Sequence, residues 1–360
     1  MDFWTWGNPF NKRKKLDKWT LRNQAVLNEL LTLIDADSRP NLNALTQLTN
    51  RIDSLSLSVK FFGYELARTL AEALPAVGDI PPQDLPLPWK PSTQADIASD
   101  WVGHWCSQFS IPRIFHRKIW EIAYVQQAIR NHGSLRPGAR GLGFGCGKEP
   151  IPSYLASQGV AVTITDQPPE TMSHQGWAQT GQHTDSLDAS FHPHLVDRAT
   201  FDQMVSLRHV DMNAIPDDLT GYDFCWSVCA IEHLGSIEKG LAFVENSLRT
   251  VRPGGLSVHT TEFNFANDRE TIDNWPTVLF QRRHFEELAK HLEAQGHRVA
   301  PLEFDVGHLP LDKFIDIPPY QHDWSDAAKQ AWDHDVTPHI KLAIDGFAST
   351  CFGLFVQRAS

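Results

Sequence analysis

Apolar positions along the first third of the chain recur at a helical spacing. Leu16, Trp19, Leu21, Val26, Leu27, Leu30 and Leu31 predict helix within 12–75; Asn41 stands where a second helix would be capped, and Tyr64, Leu66, Leu70 and Leu74 predict a third. The proline-rich stretch 75–91 reads as an extended connector. Residues 113–131 (RIFHRKIWEIAYVQQAIRN) predict a further helix, closed by Gly133.

From Arg140 the pattern changes to short apolar runs alternating with amphipathic stretches. GLGFG leads through a glycine turn into a helix over 149–158. Runs at 161–165, 206–210 and 224–230 read as strands, the first two ended by Asp166 and Asp211. A helix over 234–250, the Pro253-Gly254-Gly255 turn, a strand at 256–261 and a helix over 283–295 follow. Residues 298–304 and 351–357 read as strands, an antiparallel pair around an insert, 305–348. Alternating strand and helix predicts an α/β domain, a mainly parallel sheet with helices on both faces. Two regions result: a helical N-terminal module over 1–133 and a sheet domain over 134–360.

Composition narrows the function classes. With 41% hydrophobic and 21% charged residues in a chain of 360, a buried core is expected and wholesale disorder is excluded. The 43 acidic and 32 basic side chains give a net charge of −11, so no global basic footprint for nucleic acid exists. Five scattered cysteines without a CxxC pair indicate neither a disulfide framework nor a structural zinc site. The start, MDFWTWGNPFNKRKK, has its basic cluster after the aromatics and no apolar core behind it, unlike a secretory signal. No run reaches the roughly 18 apolar residues of a membrane span. A cytoplasmic protein is expected. Packing of Phe3, Trp4 and Trp6 on the domain is preferred to peripheral membrane contact through them and the run Lys12–Lys15.

The first chemical motif is Gly143-Phe144-Gly145-Cys146-Gly147-Lys148-Glu149, between a strand and a helix. Glycines there let backbone approach a ligand, and a carboxylate roughly 20 residues on binds a ribose hydroxyl pair. Asp166 stands at that distance and ends the next strand. Asp211-Met212 follows the third strand, where a carboxylate can accept from an adenine amino group and an apolar neighbour can cover the ring. Together these residues point to a nucleoside-containing cofactor.

On these residues the chain resembles the class I S-adenosylmethionine-dependent methyltransferases over about 139–358. Ser227 within Trp226-Ser227-Val228-Cys229, Glu232-His233-Leu234 and Arg252-Pro253-Gly254-Gly255 add to the likeness. The resemblance implies a Rossmann-like seven-stranded sheet with its last strand antiparallel, S-adenosyl-L-methionine as cofactor, and transferase activity of class EC 2.1.1.-. It implies cofactor contacts from Gly143, Phe144, Gly145, Gly147, Asp166, Asp211, Met212 and Ser227. More narrowly, LGFGCGKEP, DFCWSVCAIEHLG and VHTTEFNF resemble a bacterial subgroup associated with surface-glycan assembly. The family usually carries an acid two positions before the glycine pair, where this chain has Gly143, and a glycine two positions after it, where this chain has Glu149. Glu149 is expected either to replace that missing carboxylate or simply to complement the helix dipole.

Glu232 and His233 follow the fourth strand and His259 and Glu262 lie at the end of the fifth, where strand carboxyl ends border the ligand crevice of an open parallel sheet. Methyl transfer to a hydroxyl needs positioning and a base, and histidine titrates in the right range. His259 or His233 is the expected base, oriented by Glu232 or Glu262; the sequence leaves the two histidines level. The expected acceptor is a small molecule or a glycan hydroxyl, with no resident metal. Glu232-His233 also resembles metal-using small-RNA 2′-O-methyltransferases, but Cys229 stands where they carry another Glu, and the net charge of −11 weighs against RNA. An NAD-dependent oxidoreductase and a non-catalytic cofactor- or glycan-binding module are the other readings. In the insert, His339 and Lys341 stand nearest the site; His308, Asp312, Tyr320, His322, Trp324 and His334 match no metal-ligand spacing. Trp177, Trp275 and Trp324 are candidates for stacking on a sugar face.

Overall fold

The computed structural model describes residues 39–76, 78–167, 186–318, 320 and 339–360, together with Gln24, Asn28, 31–34 and Asp37. Phe3, Trp4, Trp6, Lys12–Lys15, most of the apolar positions assigned to the first helix, Trp177, His322, Trp324 and His334 lie outside the described residues. The chain divides into two compact units, Met1–Phe61 and Phe62–Ser360. The boundary inferred at 133/134 is therefore not a structural one: residues 62–133 belong with the sheet.

Helix α1 (Leu42–Glu72) begins in the first unit and runs past Phe61 into the second; at its start the Asn41 side-chain oxygen accepts from the Ala44 amide at 3.2 Å. The separate helices expected after Asn41 and around Tyr64 are one helix, since no proline interrupts it.

The second unit continues with β1 (Lys90–Pro91), α2 (Gln94–Ala98), α3 (Asp100–Phe109) and α4 (Arg117–Asn131). Then come β2 (Arg140–Phe144), α5 (Ile151–Ser157), β3 (Ala161–Asp166), α6 (Arg198–Met204), β4 (Val205–His209) and β5 (Tyr222–Val228). The chain closes with α7 (Ile237–Ser247), β6 (Val251–Asn264), α8 (Arg282–Ala294), β7 (Arg298–Val299), α9 (Pro310–Lys313), β8 (Ile315–Asp316), β9 (Lys341–Ile344) and β10 (Phe347–Gln357).

Strands β4, β3, β2, β5 and β6 lie side by side in that order, all parallel, and β10 adds antiparallel to β6. β5 is buried at every position, which is why its sequence, YDFCWSV, has no polar alternation. The described sheet has ten strands rather than the seven expected. The reason is the length of β10, whose outer edge would leave backbone groups unpaired if only β7 covered it. That edge is occupied in succession by β9, β1 and β7, and β8 pairs with β9. The strand expected over 298–304 pairs with β10 only at Arg298–Val299, because Leu302 and its neighbours pair with Trp89 instead. β6 starts before the Pro253-Gly254-Gly255 turn, which is absorbed as a register shift against β5.

Each face of the sheet carries an apolar core. Trp120, Tyr124 and Val125 of α4 pack with Leu155 of α5 in one; Phe243 and Val244 of α7 pack with Phe285 and Leu288 of α8 in the other. α4 lies against β5, β6 and β10, so its N-terminus reaches the carboxyl ends of the parallel strands. Among the described residues no helix is long and apolar enough to cross a membrane.

Candidate functional site

A cavity of about 400 Å³ opens at the carboxyl ends of β2, β3, β4 and β5. Its wall is built by the turns that leave those strands: Gly145–Pro150 after β2, Asp166-Gln167 after β3, Val210–Asn213 after β4, and Val228–Ala230 after β5. Asp166 is buried, and its Oδ1 accepts from the Gln167 amide at 2.8 Å. Asp211 is exposed at the rim with its Oδ1 on the Asn213 amide, and Met212 lies beside it on the wall.

The glycine turn is shaped by two constraints. Gly145 has φ of 60°, a left-handed conformation, and a Cβ there would stand 3.0 Å from the Ala230 Cβ. Gly143 is needed for a different reason: a Cβ on it would lie 2.2 Å from Cys146 Sγ and 2.5 Å from the Trp226 ring. No acidic side chain fits at that position. Gly143, Phe144 and Ser227 support the turn from below and do not line the cavity, contrary to the cofactor contacts expected of them. Phe144 points to the opposite core, edge-on to Phe243 with centroids 5.1 Å apart.

Glu149 does line the cavity. Its Oε2 is buried without a hydrogen-bond partner, and burial pushes its pKa up to about 8. The Trp226 indole N–H lies beside the carboxylate but outside hydrogen-bond geometry. An unpaired buried carboxylate is costly, and a cationic group in the cavity would remove that cost.

The four residues expected to converge do not. His259 and Glu262 are three apart on β6, so they face opposite sides of the sheet. His259 is fully buried with Nδ1 2.8 Å from Ser227 Oγ and Nε2 2.6 Å from Ser257 Oγ, edge-on to Phe243. Burial drives its pKa down to about 3. It is a neutral structural group away from the cavity, and the expectation that it serves as base is corrected. The metal triad of Glu232, His233 and His259 is not assembled for the same reason.

His233 lines the cavity. Its Nδ1 lies 3.1 Å from the Pro276 carbonyl and 3.2 Å from Thr277 Oγ1. A proton on Nδ1 donated to that carbonyl makes Nε2 the basic nitrogen. Glu232 is buried beside it, with Oε1 3.8 Å from His233 Nε2 and Oε2 accepting from Thr261 Oγ1 at 3.0 Å. Burial raises the Glu232 pKa to about 6. Glu262 is buried, paired with the Arg117 guanidinium and accepting from Ser349 Oγ at 2.6 Å; it does not line the cavity.

Sequence reasoning allowed the N-terminal helices a part in the acceptor pocket or a dimer contact but singled out no residue of α4. Lys118 and Ile122 stand on the cavity wall. Lys118 pairs with Glu121 at 3.1 Å; burial opposes its charge, but Cys229 and Glu121 outweigh that and hold its pKa above the ordinary lysine value. Burial also works against the Glu121 charge, yet Lys118 and Arg117 bring its pKa down to about 2. The link from α4 to β2 is short, so the helix could not lie far from the strand that carries the glycine turn.

His339 and Lys341 do not line the cavity either. His339 Nδ1 lies 2.8 Å from Asp316 Oδ2, and Lys341 is buried with Nζ donating to the Ser92 carbonyl at 2.5 Å.

No family model matches the chain, and no curated protein does. Solved structures to which the chain is similar include a Galdieria sulphuraria protein provisionally named sarcosine dimethylglycine methyltransferase, with 14% identity, a TM-score of 0.41, and coverage of 72% of this chain and 99% of that chain. An S-adenosylmethionine-dependent methyltransferase from Mesorhizobium loti shares 14% identity with a TM-score of 0.32, covering 64% of this chain and 96% of that one. Haemonchus contortus phosphoethanolamine N-methyltransferase 2, solved with S-adenosyl-L-methionine, shares 15% identity with a TM-score of 0.37, covering 65% and 52%. Similarity at this level bears on neither the reaction nor the substrate of this chain.

Proposed function

We propose that the chain is an S-adenosylmethionine-dependent methyltransferase that methylates a hydroxyl oxygen on a sugar or glycan, with His233 as general base. The observation that carries this reading is the cavity at four successive strand ends, closed at one side by the unpartnered carboxylate of Glu149. Its volume of about 400 Å³ suits a cofactor of that size. The donor set fits too. Asp166 would hold the ribose hydroxyls, Asp211 and Met212 the adenine, and the Gly145–Gly147 turn and Glu149 the amino-acid end, whose ammonium answers the orphaned oxygen.

When bound, S-adenosylmethionine supplies an electrophilic methyl carbon. The rest falls to the chain. Lys118, Cys229 and His233 border the side of the cavity where an acceptor enters, and a hydroxyl held there loses its proton to His233 Nε2. Glu232 then faces the imidazolium and stabilises it. The Pro276 carbonyl keeps the ring oriented throughout.

The antiparallel β10 supports this reading over an oxidoreductase, for which a sheet without a final antiparallel strand is expected. The glycan acceptor rests on the resemblance of three sequence stretches and is the finer part of the proposal; a cytoplasmic location goes with it. A methyl-transfer screen with labelled S-adenosylmethionine over sugar and glycan acceptors tests the reaction. Transfer to a hydroxyl, lost in His233→Ala and kept in His259→Ala, supports it. Equal rates in wild type and both variants, or binding of S-adenosylmethionine with no turnover on any acceptor, contradict it; the latter would favour a non-catalytic binding module.

A further inference from the structure

Three side chains from three separate elements meet where Cys229 reaches the cavity wall. Glu121 comes from α4, Cys229 from the turn after β5, and Cys351 from β10. Their ligand atoms lie within 4.8 Å of one another. Cys229 Sγ stands 3.7 Å from Cys351 Sγ, and Cys351 Sγ donates to Glu121 Oε1 at 2.7 Å. Two thiolates bound to one tetrahedral zinc ion at about 2.3 Å each are separated by about 3.8 Å. The sulfurs already have that spacing.

We propose that Glu121, Cys229 and Cys351 form a binding site for one zinc ion, with its fourth coordination position open to the cavity. Three features support it. First, Glu121 is oriented as a ligand should be: Oε2 accepts from Lys118 Nζ at 3.1 Å and Thr260 Oγ1 at 3.0 Å, which turns Oε1 toward the sulfurs. Second, Cys229 lines the cavity, so the ion has an entry path and a face for an exogenous ligand. Third, charge is conserved. Each coordinating thiol gives up its proton, so two protons leave as one divalent ion enters, and the buried cluster keeps its net charge. The neighbouring cations are already balanced, Arg117 by Glu262 and Lys118 by Glu121. Three protein ligands and an open position are the arrangement of zinc that acts on a bound molecule. An oxygen or sulfur acceptor seated there is acidified by the metal, which gives the pocket a second means of deprotonating it beside His233.

The test uses the full chain without S-adenosylmethionine, so that its outcome is separate from that of the methyltransferase reading. Metal-free protein is titrated with zinc against a chromogenic chelator, and with cobalt to read thiolate-to-metal charge transfer. One equivalent per chain, a charge-transfer band, and at least a roughly 100-fold loss of affinity in both Cys229→Ala and Cys351→Ala are expected, with a smaller loss in Glu121→Gln. Circular dichroism establishes that the variants are folded. Absence of uptake by folded wild type overturns the proposal, as does uptake that survives in the folded Cys229→Ala/Cys351→Ala double variant.

Discussion

His233, just after β5, and His259, within the adjacent parallel strand β6, look equivalent in the sequence, yet they occupy opposite environments. His259 sits in a dry layer of serines, Ser227, Ser247 and Ser257, where both ring nitrogens are within reach of hydroxyls and burial holds the ring neutral. His233 stands on a cavity wall with one nitrogen fixed by a backbone carbonyl and a buried carboxylate 3.8 Å from the other. The difference is that a polar group enclosed in a hydrogen-bonded layer holds structure, whereas one that lines a cavity beside a buried carboxylate is placed for chemistry. The same contrast separates Glu262, engaged by Arg117 and Ser349, from Glu149, whose Oε2 has no partner.

The largest expected effect breaks the comparison directly. His233→Ala should lower kcat by roughly 100- to 10,000-fold, the usual span for a lost general base. His259→Ala should leave kcat within a few-fold but cost about 1–3 kcal/mol of stability, because Ser227 and Ser257 lose their buried partner. Initial rates and denaturant melts on both variants read this out; a reversal of the two outcomes would invert the assignment.

Next comes Glu149. Replacement by Gln keeps its volume and removes the charge, and should weaken S-adenosylmethionine binding by roughly 10- to 100-fold, the worth of a charge-assisted hydrogen bond. Unchanged affinity by calorimetry would return Glu149 to a structural role. Gly143→Ala sharpens the point from the other side. Its Cβ would meet Cys146 and Trp226, so about 1–3 kcal/mol of stability should be lost, read from the melting curve.

The smallest effect is a pH dependence. The Glu149 pKa is raised by burial to about 8, so the empty site holds a proton at neutral pH. Its contribution to folding stability is present at low pH and fades as pH rises through about 8. Binding of a ligand ammonium has the opposite sign, since it needs the carboxylate ionised. Affinity should therefore rise by up to about 20-fold between about pH 6 and about pH 7.5, with proton release visible as a buffer-dependent binding enthalpy. Glu149→Gln should flatten that slope.

Much of the fold was legible because it obeys periodic rules. The runs ended by Asp166 and Asp211 become adjacent parallel strands, the first largely buried and the second a partly exposed edge strand whose β-branched and apolar positions still marked it. β1, β7, β8 and β9 are two to four residues long, too short to carry a period, and they exist only because β10 is long enough to need edge partners. In the site, the glycine turn, Asp166, Asp211, Met212 and Glu149 reach the cavity from the elements the sequence assigned them. His259 does not, and the parity of its position against Glu262 already contained that answer. Lys118 and Cys229 were missed because α4 was assigned to a separate module and Cys229 to a buried strand. Cys229 in fact stands just past β5 at φ of 45°, which turns it to the cavity wall.

Isothermal titration of the wild-type chain with S-adenosylmethionine, run in parallel with NAD, tests the central claim most directly. The account predicts saturable binding of S-adenosylmethionine at one site per chain and none of NAD. Binding of NAD instead, or no heat from either, would contradict it.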